Sequence, residues 1–289
     1  MKYARKHETK RTIAYLGLFL SLYGQAASSH ELGSPKLANG HLESKLNDAK
    51  LTNNSYSGWF ITAGAGYIKP DINSAIYVAN GLSAPSPYNI DKFTIEEKSK
   101  TAIIVATGYS WFKEQHWFPS WSLGLRYQHF FKEDIGKRIT QYNIPEFENY
   151  HYNWEVSNEI ISLFAKINLF QYSRFSPYVD GAIGAAWNHG MNYREIAFAH
   201  ITPRISPAFG SQTTTRFAYS LGAGLDFPLS KQLVTSLSYE FQKLNDVYSN
   251  YGQSTWSQEK LKLKDYQVNA LFLTLSYVFE LTRPIELTK

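Results

Sequence analysis

The residues able to do chemistry are few, and their spacing argues against most of it. The eight histidines are His7, His30, His41, His116, His129, His151, His189 and His200. None stands in an HxH or HExxH arrangement that would put two imidazoles on one metal ion. There is no cysteine, hence no thiol nucleophile, thiolate ligand, disulfide or lipid-modified amino-terminal Cys. The glycine-rich stretches contain neither GxxxxGK[ST] nor GxGxxG, so no phosphate cradle is expected. No catalytic residue, cofactor or metal ligand is therefore assigned. What remains is five charged residues, Arg126, Lys166, Asp180, Asp226 and Glu240, each set among apolar and small neighbours. If they face a closed interior they must pair, because a buried unpaired charge is costly. The expectation is an internal ion-pair network, with Arg126 and Glu240 near mid-height.

The elements that would position these charges alternate with a period of two, the strand period. Eight such segments are legible, at about 57–68, 101–112, 121–131, 154–170, 177–188, 213–227, 232–242 and 267–279. In the last, Leu271, Leu273, Leu275, Tyr277 and Phe279 share one face, and Ala270, Phe272, Thr274, Ser276 and Val278 share the other. Elsewhere, too, one face is large and apolar. The other carries the five charges with Gly64, Gly66, Gly108, Gly124, Gly184, Gly222 and Gly224. The connections alternate strictly between long (69–99, 132–152, 189–212, 243–265) and short. Each segment reaches the ~9–11 residues with which a tilted strand crosses a membrane.

Residues 1–26 have a basic start (Lys2, Arg5, Lys6, Lys10, Arg11), an apolar run at 13–23 and small residues at the end. This reads as a secretory signal peptide, cleaved after Ala26 or Ala27. It holds five basic residues and one acidic residue, so the net charge of +5 becomes +1 without it. The basic excess behind a pI near 9.0 leaves with it, and nucleic-acid binding is not expected. Residues 27–56 read as a flexible periplasmic leader, 57–279 as the barrel and 280–289 as a short periplasmic tail.

The mean hydropathy of −0.34 argues against a bundle of membrane helices. A spanning sheet must instead close on itself, because lipid offers its edges no hydrogen bonds. The fold class expected is all-β, an eight-stranded antiparallel up-and-down transmembrane barrel with short periplasmic turns and four long extracellular loops. Strands one and eight meet at the seam. Interface aromatics are then Trp59, Tyr67, Trp111, Trp121, Tyr127, Trp187, Phe217, Tyr219 and Phe227. A soluble lipocalin-like barrel would turn its apolar face inward; here the glycines share a face with the charges.

The stretches GWFITAGAGYI, FAYSLGAGLDFPL and LFLTLSYVF make residues 57–279 resemble the eight-stranded outer-membrane barrels of the OmpA/OmpX type, and especially the opacity-protein-like surface antigens of Gram-negative bacteria. The resemblance implies an outer-membrane surface protein whose loops meet host or environmental ligands. Its implied partners are outer-membrane lipid, lipopolysaccharide and the barrel-assembly machinery, which reads the final aromatic, here Phe279, as part of the 271–279 strand. The chain departs from the group by continuing for ten residues after Phe279. Lipid A deacylases use a His and a Ser two residues apart on one strand face, and no His here has a Ser two positions later. The expected role is a structural scaffold for surface interaction or adhesion, without catalysis. The alternatives are a narrow channel for small or apolar solutes and, disfavoured, a lipid-modifying enzyme.

Overall fold

The computed structural model describes residues 57–173 and 175–279. The expected signal peptide, leader and tail lie outside the described residues. Eleven strands form one antiparallel sheet: β1 (Gly58–Asp71), β2 (Ala75–Ala79), β3 (Ile90–Ile95), β4 (Lys100–Phe112), β5 (Ser120–Asp134), β6 (Gly136–Thr140), β7 (Glu148–Asn168), β8 (Ser176–Ala197), β9 (Gln212–Pro228), β10 (Leu233–Tyr248) and β11 (Lys262–Val278). Eight of them, β1-β4-β5-β7-β8-β9-β10-β11, close into a ring through β7–β8 pairing. At the seam β1 and β11 pair with Ala65 opposite Leu273, and the Phe279 N–H donates to the Trp59 carbonyl at 2.7 Å.

Alternation dictates what the wall shows to each side. Outward residues such as Leu221 (63% exposed) and Leu273 (60% exposed) form a continuous apolar belt with Leu125, Ile161 and Ile183. So large an exposed apolar surface is foreign to a protein solvated by water alone. At the short-turn end the belt carries Trp59, edge-on to Tyr109 at 5.7 Å, and Trp111 stacked on Trp121 at 3.9 Å. Tyr277 and Phe279 lie edge-to-face 5.0 Å apart beyond them, and Phe227 is half-buried on β9. Towards the other end stand Tyr67, Tyr127, Trp187, Phe217 and Tyr219, with Trp187 half-buried and the rest exposed. The outward face of β11 is Leu271, Leu273, Leu275 and Tyr277, all exposed.

The long connections differ from the expected loops. The 69–99 connection folds as the β2–β3 hairpin, and 132–152 contains β6. Strands β7, β8, β10 and β11 also run well past the expected ends, to Glu148, Ala197, Tyr248 and Lys262. The reason is burial. Ile76, Val78, Phe93, Ile95, Ile139, Tyr150 and Tyr152 also alternate, and their inward faces pack into one apolar cluster with barrel-lining residues. A sheet β2-β3-β6-β7-β8 thus caps the long-connection end. Register shifts mark the change from wall to cap, between Phe130 and Glu133, Asn153 and Glu155, and Lys243 and Val247. Bulges of this kind bend strands at barrel rims.

Candidate functional site

The lumen is layered, and each layer follows from one register. Across the wall Lys166, Asp180, Gly222 and Glu240 stand side by side on β7, β8, β9 and β10. Arg126 reaches them from β5, 5% exposed. Its Nη1 donates to Glu240 Oε1 at 2.9 Å and Asp180 Oδ2 at 3.3 Å, and its Nη2 donates to Ser220 Oγ at 2.7 Å. The guanidinium lies 5.7 Å from the Phe164 ring, and Gln242 Nε2 donates to Glu240 Oε2 at 2.9 Å. The five predicted charges all line the lumen, but in two groups rather than one. Lys166 turns from Asp180, its register partner, towards the short-turn end and donates to Asp226 Oδ1 at 2.7 Å, its ammonium 3.9 Å from the Tyr178 ring centroid. Asp226 also accepts from Asn168 and Ser236 at 2.8 and 2.6 Å. Asp180 already accepts from Arg126, whereas Asp226 has no other cationic partner among the described residues, so Lys166 neutralises the carboxylate that would otherwise be left unpaired.

Gly222 makes the upper group possible. A Cβ there would lie 2.4 Å from Asp180 Oδ1 and 2.9 Å from Glu240 Cγ. Gly222→Ala is expected to cost about 1–3 kcal/mol by overpacking. A lowered urea midpoint, with Arg126 contacts disturbed, would show it; an unchanged midpoint would mean the carboxylates can step aside.

Below Arg126 the lumen opens as a cavity of about 140 Å³ that reaches turn residues at the short-turn end, including Pro119, Gln171 and Lys231. Directly above it only about 10 Å³ is free, roughly one water molecule. Higher still, Lys100 donates to Asn158 Oδ1 at 2.9 Å, Asn158 Nδ2 donates to Asn188 Oδ1 at 2.9 Å, and Asn188 Nδ2 donates to the Leu244 carbonyl at 2.8 Å. This strap crosses β4, β7, β8 and β10. Above it the apolar cluster fills the space: Phe130, Tyr266, Leu244 and Val268 from the barrel meet Trp154, Phe93 and Leu263 towards the cap. The strap is not legible in the sequence, because an uncharged Asn on an alternating face carries no charge that must pair, and Lys100 lies one residue outside the strand expected at 101–112.

The cap has its own polar centre. Arg204, on the 198–211 connection, donates through Nη1 to Asp91 Oδ2 at 2.5 Å and through Nε and Nη2 to Glu195 at 3.1 and 3.2 Å. Its guanidinium lies 5.0 Å from the Tyr150 ring and 4.9 Å from that of Trp256. Asp91 also accepts from Asn80 Nδ2 and from the Tyr142 N–H. Burial disfavours the charge on Arg204, but the hydrogen bonds and charges of Glu195 and Asp91 outweigh it and raise its pKa. Burial, and then Glu195, pushes the Tyr193 hydroxyl well above its usual value. Nothing in the sequence singled out Arg204, since its partners come from β3 and β8 through chain closure. Around this centre the cap shows Tyr77, Tyr88, Phe147, Ile205 and Tyr251 to solvent.

Among the described residues, no group of three or more His, Asp or Glu side chains could hold a metal ion. His189 bonds Thr213 Oγ1 at 2.9 Å and His129 faces Glu159 at 3.6 Å, on the outer wall.

No family model matches the chain, and no curated protein does. Solved structures do. The outer membrane protein OprG from Pseudomonas aeruginosa is 14% identical, with 79% of this chain and 99% of that one aligned and a TM-score of 0.50. Neisserial surface protein A is 10% identical over 78% and 99%, with a TM-score of 0.42. Ail, the attachment invasion locus protein of Yersinia pestis, solved with the heparin analogue sucrose octasulfate, is 12% identical over 78% and 99%, with a TM-score of 0.40.

Proposed function

We propose, from the premise that this chain has the fold of the outer-membrane β-barrels, that it is an outer-membrane surface protein of a Gram-negative bacterium. Its barrel is a closed scaffold, and its extracellular cap is a folded interaction surface. One observation carries the reading: the apolar cluster runs unbroken from the upper lumen into the cap. Among the described residues that filling argues against a water path from end to end, and the cavity below Arg126 reaches the short-turn, periplasmic end. Eight strands leave just enough interior for side chains, and here they occupy it. The outward belt with its two aromatic borders supports membrane insertion, and the outward face of β11 is the surface offered to the assembly machinery.

On the cap, Tyr88, Tyr142 and Phe147 lie in a row, with ring centroids 6.4 and 5.6 Å apart. Tyr88 stands in the turn between β2 and β3, and Tyr142 and Phe147 in the short 3-10 turns between β6 and β7; clustered aromatic groups at such loop tips suit contact with host protein or glycan. The reading is non-catalytic.

Two measurements test it. In planar bilayers the wild-type protein is expected to give no reproducible conductance steps; steady steps would favour a channel. On whole cells, a variant with Tyr88, Tyr142 and Phe147 changed to Ser is expected to lose most adhesion while migrating on gels as a folded barrel. Full adhesion by that variant would remove the aromatic row from the function.

A further inference from the structure

The outer surface of the β10–β11 ribbon changes character along its length. Tyr239 and Leu271, paired across the strands, belong to the exposed apolar belt. Next come Phe241 beside Asn269, then Lys243 beside Gln267, and at the far end Tyr248 beside Lys262. Lys262 faces outward, because Leu261 and Leu263 on either side point into the core. Strand β9 pairs with β10 only as far as Tyr219 and Lys243. Its next stretch leaves that ladder, with the Phe217 carbonyl accepting from Asn245 Nδ2 of β10 at 2.6 Å, and brings Arg216 across to the same spot.

Three cations therefore meet on one phenol. Arg216 Cζ lies 5.4 Å from the Tyr248 ring centroid, and the Lys260 and Lys262 ammoniums lie 5.0 Å from it. Lys260 also sits 4.8 Å from the Tyr251 ring. Lys262 is matched by Asp246 at 3.2 Å, and the Tyr248 hydroxyl donates to that same carboxylate at 2.7 Å. Burial alone would raise the Asp246 carboxyl, yet hydrogen bonds from Tyr248, the Asp265 N–H and Lys262 hold it below its usual range. It is one acid already committed to one lysine. Among the described residues, neither Arg216 nor Lys260 forms an ion pair with a carboxylate. Like charges gathered at one place repel, and a multivalent anion between them removes that cost.

We propose that Arg216, Lys260 and Lys262 around Tyr248 form a binding site for the phosphate of a glycolipid packed against the outside of the barrel, the phosphorylated headgroup of outer-leaflet lipopolysaccharide. The site rests on the reading of the chain as an outer-membrane barrel with its cap outside the cell. Phosphate chemistry fits because a guanidinium grips two of its oxygens while ammoniums act as point charges. The lipid source fits because Phe217, Leu221 and Tyr239, all exposed, descend from the cluster as an apolar strip for acyl chains.

The test uses the folded full chain in detergent and native mass spectrometry. The probes are bisphosphorylated lipid A, the same lipid dephosphorylated, inorganic phosphate alone and heparin. Bisphosphorylated lipid A is expected to bind tightest. Each cation near an anionic headgroup layer contributes about fivefold, so R216Q/K260Q is expected to weaken binding about 25-fold, while R216K/K260R stays within a few-fold. Lys260→Gln alone, expected to cost about fivefold, keeps the question open to experiment if the double variant does not fold. Equal binding of phosphorylated and dephosphorylated lipid overturns the site, as does unchanged affinity in folded R216Q/K260Q. Inorganic phosphate binding as tightly as lipid A overturns the lipid source, and preference for heparin overturns it in favour of a sulfated glycan. Fractionation of the wild type away from the outer membrane, or protease access to the cap only from the periplasm, would instead remove the underlying reading of the barrel.

Discussion

Arg126→Met is expected to be the most damaging single substitution in the barrel. It removes the one guanidinium that satisfies Asp180 and Glu240 and leaves two carboxylates facing each other across Gly222. Breaking a buried ion group by deleting one partner costs about 3–5 kcal/mol, a large part of the stability of a small domain. Surface ion pairs give no guide to this figure, since they contribute about 0–1 kcal/mol. The penalty lies in stranded charge rather than in lost attraction, so removing all three charges should be mild. Arg126→Met with Asp180→Asn and Glu240→Gln is expected to recover most of the loss. Equilibrium unfolding in urea, followed by tryptophan fluorescence in detergent, measures both. If the single and triple variants lose the same amount, the group is not coupled as its geometry indicates.

The second large effect belongs to the cap. Arg204→Ala is expected to open the cap and spare the barrel. It strands Asp91 and Glu195, whose side chains are 1% and 3% exposed, and it unfastens the 198–211 connection from Tyr150 and Trp256. A local loss of about 3–5 kcal/mol raises the open population by about two to four orders of magnitude. Limited proteolysis on intact cells would register that rise as cleavage in 75–95 and 198–211, while migration on unheated gels stays that of a folded barrel. Arg204→Lys should rescue only part, because an ammonium cannot bond Glu195 through two nitrogens while holding Asp91. Loss of heat-modifiable migration together with the cap would show that wall and cap fold as one unit.

These two arginines differ in how far the sequence gives them away. Arg126 stands on an alternating strand between Leu125 and Tyr127, opposite in phase to both, so its inward direction is legible within five residues. Its partner Glu240 is 114 positions away, yet both fall at mid-strand on the glycine-bearing face. The grouping was not legible. Lys166 is in register with Asp180 but bonds Asp226, because Arg126 already occupies Asp180 and Asp226 has no other cation among the described residues. Arg204 lies in a stretch without period, and its acids arrive from β3 and β8. The hairpin at 75–95 was hidden for a related reason. Five or six alternating residues inside a long polar stretch carry too little signal to outweigh the breakers around them.

The wall is written in the chain's own alternation: eight strands, their two faces and the alternation of long and short turns. Side-chain direction in a strand reverses at every residue, so a few consecutive positions fix it without knowledge of the rest. Closure of the fold is what fills the upper lumen, builds a sheet from the long connections and gathers Arg216, Lys260 and Lys262 at Tyr248. Those outcomes depend on register between strands far apart in the chain, which is set when the ring closes and the apolar faces beyond the belt find a common core.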